Sequence, residues 1–126
     1  MSNAVGAIIV NLKNEVLLQK RTFDYKKGVW NIFGGAKEKN ESSNCALFRE
    51  LEEELELYFE VPKKFPRPHK VKNKKEITDL FYIRADIKTS DITLREGAGF
   101  AFFNKKELKQ LNLAKDSRKI LESYYG

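Results

Sequence analysis

The chain has a single cysteine, Cys45, a single histidine, His69, and no apolar run longer than four residues. Each shortage excludes something. One cysteine cannot close an intrachain disulfide, which fits a reducing, cytoplasmic setting. The one histidine lies in a lysine-rich stretch where nothing nearby forms a triad, so it reads as a surface residue and not a catalytic one. An apolar run such as Ala7-Ile8-Ile9-Val10 is far short of the roughly 20 residues that span a bilayer, and no membrane partner is expected. Asn11 and Lys13 end the first apolar stretch early, so no signal peptide is expected. Met1-Ser2-Asn3-Ala4 is assigned no function.

What is present suits one globular domain over residues 1–126. The 126 residues are 41% hydrophobic and 33% charged, too apolar for a disordered chain and enough for a single core. The net charge of +6 is compatible with a polyphosphate or nucleic-acid ligand, but on charge alone a solvated lysine-rich surface is the first reading.

Residues 5–10 are short, apolar and β-branched, and read as a buried strand. Residues 11–14 form a turn, and residues 15–21 a second strand in a hairpin with the first. A polar loop covers residues 22–28. Residues 29–33 read as a short strand running into Gly34-Gly35, and residues 36–43 as a loop. Ser42 or Ser43 caps a helix to about Leu57. A strand pair is expected within residues 58–72, limited by Pro62, Pro66 and Pro68. Residues 77–87 and 100–103 are further strands. Asn104 caps a short helix, and a last helix runs near residues 116–125. Strands, helix, strands and helices in that order imply an α/β or α+β fold around a mixed sheet.

One segment is chemically unusual. Five glutamates crowd into seven positions, Glu50 to Glu56. Like charges at i,i+4 repel by a few tenths of a kcal/mol per pair, so something must offset them. At about 100° per residue, Glu53 and Glu54 fall about 60° and 40° to either side of Glu50, on one shared face. Leu47, Leu51, Leu55 and Tyr58 form a separate core stripe about 90° away, and Glu52 and Glu56 point to solvent. A merely solvated face would carry basic partners, yet Arg49 is the only basic residue on this helix. Clustered carboxylates are the ligands a hard divalent cation takes, together with water and substrate phosphate.

Reading backward from Glu54 gives Gly35, five residues, Glu41, seven residues, Arg49-Glu50-Leu51, one residue, Glu53-Glu54, one residue, Glu56-Leu57. This resembles the Nudix box, G-x5-E-x7-R-E-U-x-E-E-x-G-U with U aliphatic. The one departure is Glu56 where the box has glycine. Glycine there suits a left-handed helix cap, so Glu56 is expected to cost about 1 kcal/mol of stability while leaving the chemistry intact. Phe33 also replaces the proline common before the double glycine. Residues 30–35 (WNIFGG) and 96–100 (EGAGF) extend the likeness to nearly the whole chain.

The resemblance implies a Nudix α/β/α sandwich with a mixed β-sheet, bound Mg²⁺ or Mn²⁺, and hydrolysis of a nucleoside diphosphate linked to another group. It places Glu50, Glu53 and Glu54 as metal ligands, with the carbonyl of Gly34. Gly35 and Glu41 support the loop, and Arg49 orients the helix glutamates. Glu96 is a further metal ligand or the general base, and Glu53 the alternative base; an exposed loop acid is the other reading of Glu96. Arg21, Phe23, Lys27 and Trp30 are weaker substrate-binding candidates, with Tyr25 and Lys26 beside them; a solvated loop for the lysines and a core position for Trp30 are the competing readings.

Residues 63–75 (KKFPRPHKVKNKK) are strongly basic, which supports a second reading, an RNA 5′-end pyrophosphohydrolase or an RNA-binding or regulatory domain on the same fold. The expected partner is a nucleotide-type small molecule, with RNA as the alternative, on a monomer or homodimer.

Overall fold

Alternation along the first strand sets the architecture of the computed structural model, which describes residues 3–20, 28–55, 63–64, 69–71, 76–92 and 99–125. Strand β1, Ala4–Val10, is buried along its whole length. Val5, Ala7 and Ile9 face one core layer, and Ile8 and Val10 face the other. A strand buried on both faces needs cover on both, and it has it. Helix α1, Ser43–Leu55, closes the first layer with Leu47, Leu51 and Leu55, all fully buried. Each such leucine contributes about 1.5–3 kcal/mol of burial. Helices α2, Lys105–Leu108, and α3, Lys115–Tyr125, close the second with Leu108, Ile120 and Leu121. The result is the expected α/β/α sandwich.

Among the described residues, eight strands form one mixed sheet. Strand β1 runs parallel to β7, Glu76–Arg84, in register from Ala4↔Thr78 to Val10↔Arg84. On its other edge it meets β2, Val16–Lys20, at Val10↔Val16. The hairpin turn is built by Asn11, whose Oδ1 accepts the amides of Lys13 and Glu15 at 3.0 Å each. Asn14 takes the left-handed conformation there, with φ 61°.

The two hairpin strands then part, and residues 30–36 fill the fork. Strand β3, Trp30–Asn31, pairs with β2, while β4, Phe33–Ala36, pairs antiparallel with β1. The expectation of one short strand ending at the glycines is therefore corrected. The strand breaks at Ile32 and resumes through both glycines. The break is held by polar groups, since the Ile32 amide reaches Asn31 Oδ1 at 3.0 Å and the buried Ser117 Oγ at 3.1 Å. Ser117 also donates to Asn31 Oδ1.

Strand β8, Gly99–Phe103, covers the far edge of β2, from Val16↔Phe103 to Lys20↔Gly99. The strand pair expected within residues 58–72 is also revised. Strands β5, Lys63–Lys64, and β6, His69–Val71, each pair antiparallel with β7 and not with one another. Asn104 caps α2 as expected, in a full capping box with Glu107. Among the described residues, no helix is long and apolar enough to cross a membrane.

Candidate active site

Strand β4 lies under α1, and its two glycines are fixed by different neighbours. Gly34 pairs with Gly6 of β1 and has φ 153°; a Cβ on it would lie 2.2 Å from the carbonyl oxygen of Val5. Gly35 faces the helix, where a Cβ would lie 2.6 Å from the carboxyl carbon of Glu50. The double glycine thus lets β4 approach β1 on one side and the Glu50 carboxylate on the other.

The N-terminus of α1 is set by two serines. Ser42 Oγ accepts the Cys45 amide at 3.2 Å, which makes Ser42 the capping residue. Ser43 Oγ donates to Asp79 Oδ2 at 2.5 Å, tying the helix start to a buried carboxyl on β7. Negative charge at a helix N-terminus is also favoured by the helix dipole.

Arg49 organises the acidic side of the helix. Its Nε and Nη2 donate to the two oxygens of Glu41 at 2.8 and 2.9 Å. Nη1 donates to Glu50 Oε1 at 3.0 Å and lies 3.5 Å from Glu53 Oε2, and Nη2 also reaches the Ala36 carbonyl at 3.1 Å. A planar guanidinium serves four partners at once where a lysine ammonium cannot. The fork holds the Glu41 carboxyl well below the usual range, at about 2, and raises the already high value of Arg49. Glu41 also closes its own turn, accepting the Glu38 amide at 2.9 Å, with Asn40 left-handed at φ 65°.

The three glutamates lie on one side of α1, as their spacing requires, in graded environments. Glu50 keeps 14% of its side-chain surface and Glu53 keeps 52%, while Glu54 is buried. Gln19 of β2 extends its Nε2 toward Glu54 Oε2 at 3.5 Å and the Ile32 carbonyl at 3.4 Å. As the side chains lie, no three His, Cys, Asp or Glu among the described residues stand close enough to hold a metal ion. Glu50 and Glu53 turn toward Arg49, and Glu54 toward Gln19. The donors themselves suit a hard divalent cation, being carboxylate oxygens throughout on one helical face.

Of the other sequence candidates, Trp30 packs against the core layer opposite α1, with its ring edge-on to Phe103 at 4.9 Å. Its backbone pairs with the chain before α3, with the Trp30 amide on the Asn112 carbonyl and the Ala114 amide on the Trp30 carbonyl. Glu52 is exposed, as expected. Arg21, Phe23, Lys27, Tyr25, Lys26, Glu56 and Glu96 lie outside the described residues.

Gln19 and Asp79 are the residues that sequence reasoning missed. Period-2 alternation carried the signal. Leu17 faces α1, so Gln19 does too, as the one polar side chain on that face of β2. Asp79 precedes Phe81 and Ile83 on the same face of β7.

The site is thus a glycine-opened strand beneath an arginine-ordered glutamate helix, on one face of an α/β/α sandwich. The NUDIX domain family model matches residues 2–124, and the chain belongs to the Nudix family. It is similar to the RNA pyrophosphohydrolase of Pelagibacter ubique (strain HTCC1062), 37% identical over 57 residues, covering 45% of this chain and 35% of that protein. It is also similar to the RNA pyrophosphohydrolase of Ruthia magnifica subsp. Calyptogena magnifica, 46% identical over 56 residues, covering 44% and 30%. The matched segments thus span about a third of those relatives. The MutT protein from Methanosarcina mazei Go1 shares the fold, with TM-score 0.77 and 24% identity, covering 97% of this chain and 91% of that one.

Proposed function

We propose that residues 1–126 form one Nudix domain that acts as a divalent-metal-dependent pyrophosphohydrolase, cleaving a nucleoside diphosphate linked to another group. The observation that carries this reading is the ordered acidic face of α1, with Glu50 on Gly35, Glu53 half-open to water and Glu54 buried beside Gln19. Glu50, Glu53 and Glu54, with the Gly34 carbonyl and Glu96, would hold Mg²⁺ or Mn²⁺. A cation bound there neutralises phosphate charge and lowers the pKa of a bound water.

Water oxygen attacks one phosphorus of the anhydride, the bridging P–O bond breaks, and a carboxylate takes the water proton. Glu53, the most open of the three, is the acceptor among the described residues, and Glu96 is the alternative. Arg49 is committed to Glu41, Glu50 and Ala36, so it positions the glutamates and leaves substrate contact to other groups. The single exposed free cysteine accords with a cytoplasmic location.

The test is phosphate release, after phosphatase coupling, from nucleoside triphosphates, oxidised dGTP, ADP-ribose, sugar nucleotides, dinucleoside polyphosphates and 5′-triphosphate RNA. Each is run with Mg²⁺, with EDTA, and with Glu53→Gln. Loss of turnover in both controls supports the metal–glutamate mechanism; turnover that survives EDTA refutes it.

An RNA 5′ end is the second substrate reading. The names of two relatives and the net charge of +6 favour it. Turnover of triphosphate RNA above every small nucleotide in the panel would select it.

A further inference from the structure

One open space among the described residues lies away from the glutamates. A cavity of about 470 Å³ opens between α2 and α3, on the sheet face opposite α1. That size falls within the range of about 300–1,000 Å³ typical of small-molecule sites.

The cavity persists because its frame is spent on the fold. Arg118 donates to the carbonyls of Leu111 at 2.6 Å and Leu108 at 3.5 Å, which holds the end of α2 against α3. Tyr125 donates its hydroxyl to the Asn14 carbonyl at 2.9 Å, so its ring is left as a wall. Leu108, Leu113 and Leu121 supply the apolar lining. At the rim, the side chains of Lys105 and Lys109 have no hydrogen bond or ion pair among the described residues. They are four positions apart, and with Arg118 they outnumber the one acid in the lining, Glu122. An aromatic wall, a leucine lining and two uncommitted ammonium groups match a ligand that is flat and apolar at one end and anionic at the other.

We propose that this cavity is a second ligand site, for a flat aromatic anion of nucleoside monophosphate size. It is independent of the reading given to α1, since no glutamate of that helix lines it.

The test uses the full chain carrying Glu53→Gln, in EDTA, which silences the α1 face. Adenosine 5′-monophosphate is titrated while backbone amide shifts are followed. The expected result is saturable shifts in residues 105–125, with adenosine alone and inorganic phosphate alone each binding at least about tenfold more weakly. The double variant K105A/K109A, which alters two exposed side chains, weakens binding by about tenfold at unchanged Tm. Shifts confined to residues 34–54, no shifts at all, equal binding by the double variant, or phosphate alone binding as tightly would each overturn the assignment. An aromatic carboxylate run in parallel reports which anion the site prefers, phosphate or carboxylate.

Discussion

The carboxylate of Glu50 occupies the space that a side chain on Gly35 would need, with the built Cβ 2.6 Å from Glu50 Oε1. The neighbouring glycine meets backbone instead, with its Cβ 2.2 Å from the Val5 oxygen. A carboxyl can swing aside and a strand cannot. Gly35→Ala is therefore expected to cost about 1 kcal/mol of stability and to lower kcat/KM by about tenfold or more, through displaced Glu50. Gly34→Ala is expected to cost about 3 kcal/mol, because both its φ of 153° and its space are denied. Urea unfolding and steady-state kinetics on the pair check the contrast. Equal stability losses would mean that β4 responds as one unit.

Arg49→Lys keeps the charge and loses the fork. A lysine can reach Glu41 or Glu50, and not both oxygens of Glu41 with the Ala36 carbonyl as well. The expected cost is about 1–3 kcal/mol of stability and about 10–100-fold in kcat, with KM changed less. A variant with normal kcat would show that glutamate placement does not depend on Arg49.

The same pair predicts an acid-sensitive component of stability. The Arg49 fork and, after it, the Glu38 amide lower the pKa of Glu41 from 4.5 to about 2, against a smaller opposing effect of burial. The folded value lies below the unfolded one. The pairing therefore stabilises fully above pH about 4.5 and is lost as the pH falls toward about 2. Glu41→Gln is expected to be less stable than the parent at pH 6, with the difference shrinking through that window. Urea midpoints from pH 6 to 2 measure it, and a difference that stays constant with pH would contradict the assignment.

The elements held by local rules were readable from residues alone. The leucine stripe of α1 and the Asn104–Glu107 capping box both follow from spacing within a few residues. What was not readable depends on distant partners. Glycines ordinarily weaken a strand, so Gly34-Gly35 read as its end; only the approach of β1 and Glu50 explains a strand through them. Short strands β5 and β6 suggested each other as partners, whereas both found the long edge of β7. At the site, spacing put three glutamates on one helix face, but their separate environments come from Arg49, Gly35 and Gln19, two of which lie on other elements.

Gln19 gives the last prediction. It bridges the buried Glu54 and the Ile32 carbonyl from the one polar position on the inner face of β2. Under the proposed function, Glu54 binds the cation, and a carboxylate ligand is oriented by its own hydrogen-bond partners. Gln19→Leu keeps the approximate volume and removes the donor. Mn²⁺ affinity, read by electron paramagnetic resonance without substrate, is expected to fall about tenfold, and kcat with it at fixed metal. Raising the metal concentration is expected to restore part of kcat, which a general loss of fold would not allow. Glu52→Gln, on the exposed side of the same helix, removes a charge without touching this arrangement and is expected to leave Mn²⁺ affinity within about twofold. If both variants weaken Mn²⁺ equally, the helix attracts the cation by its total charge, and the placement of Glu54 by Gln19 has no part in it.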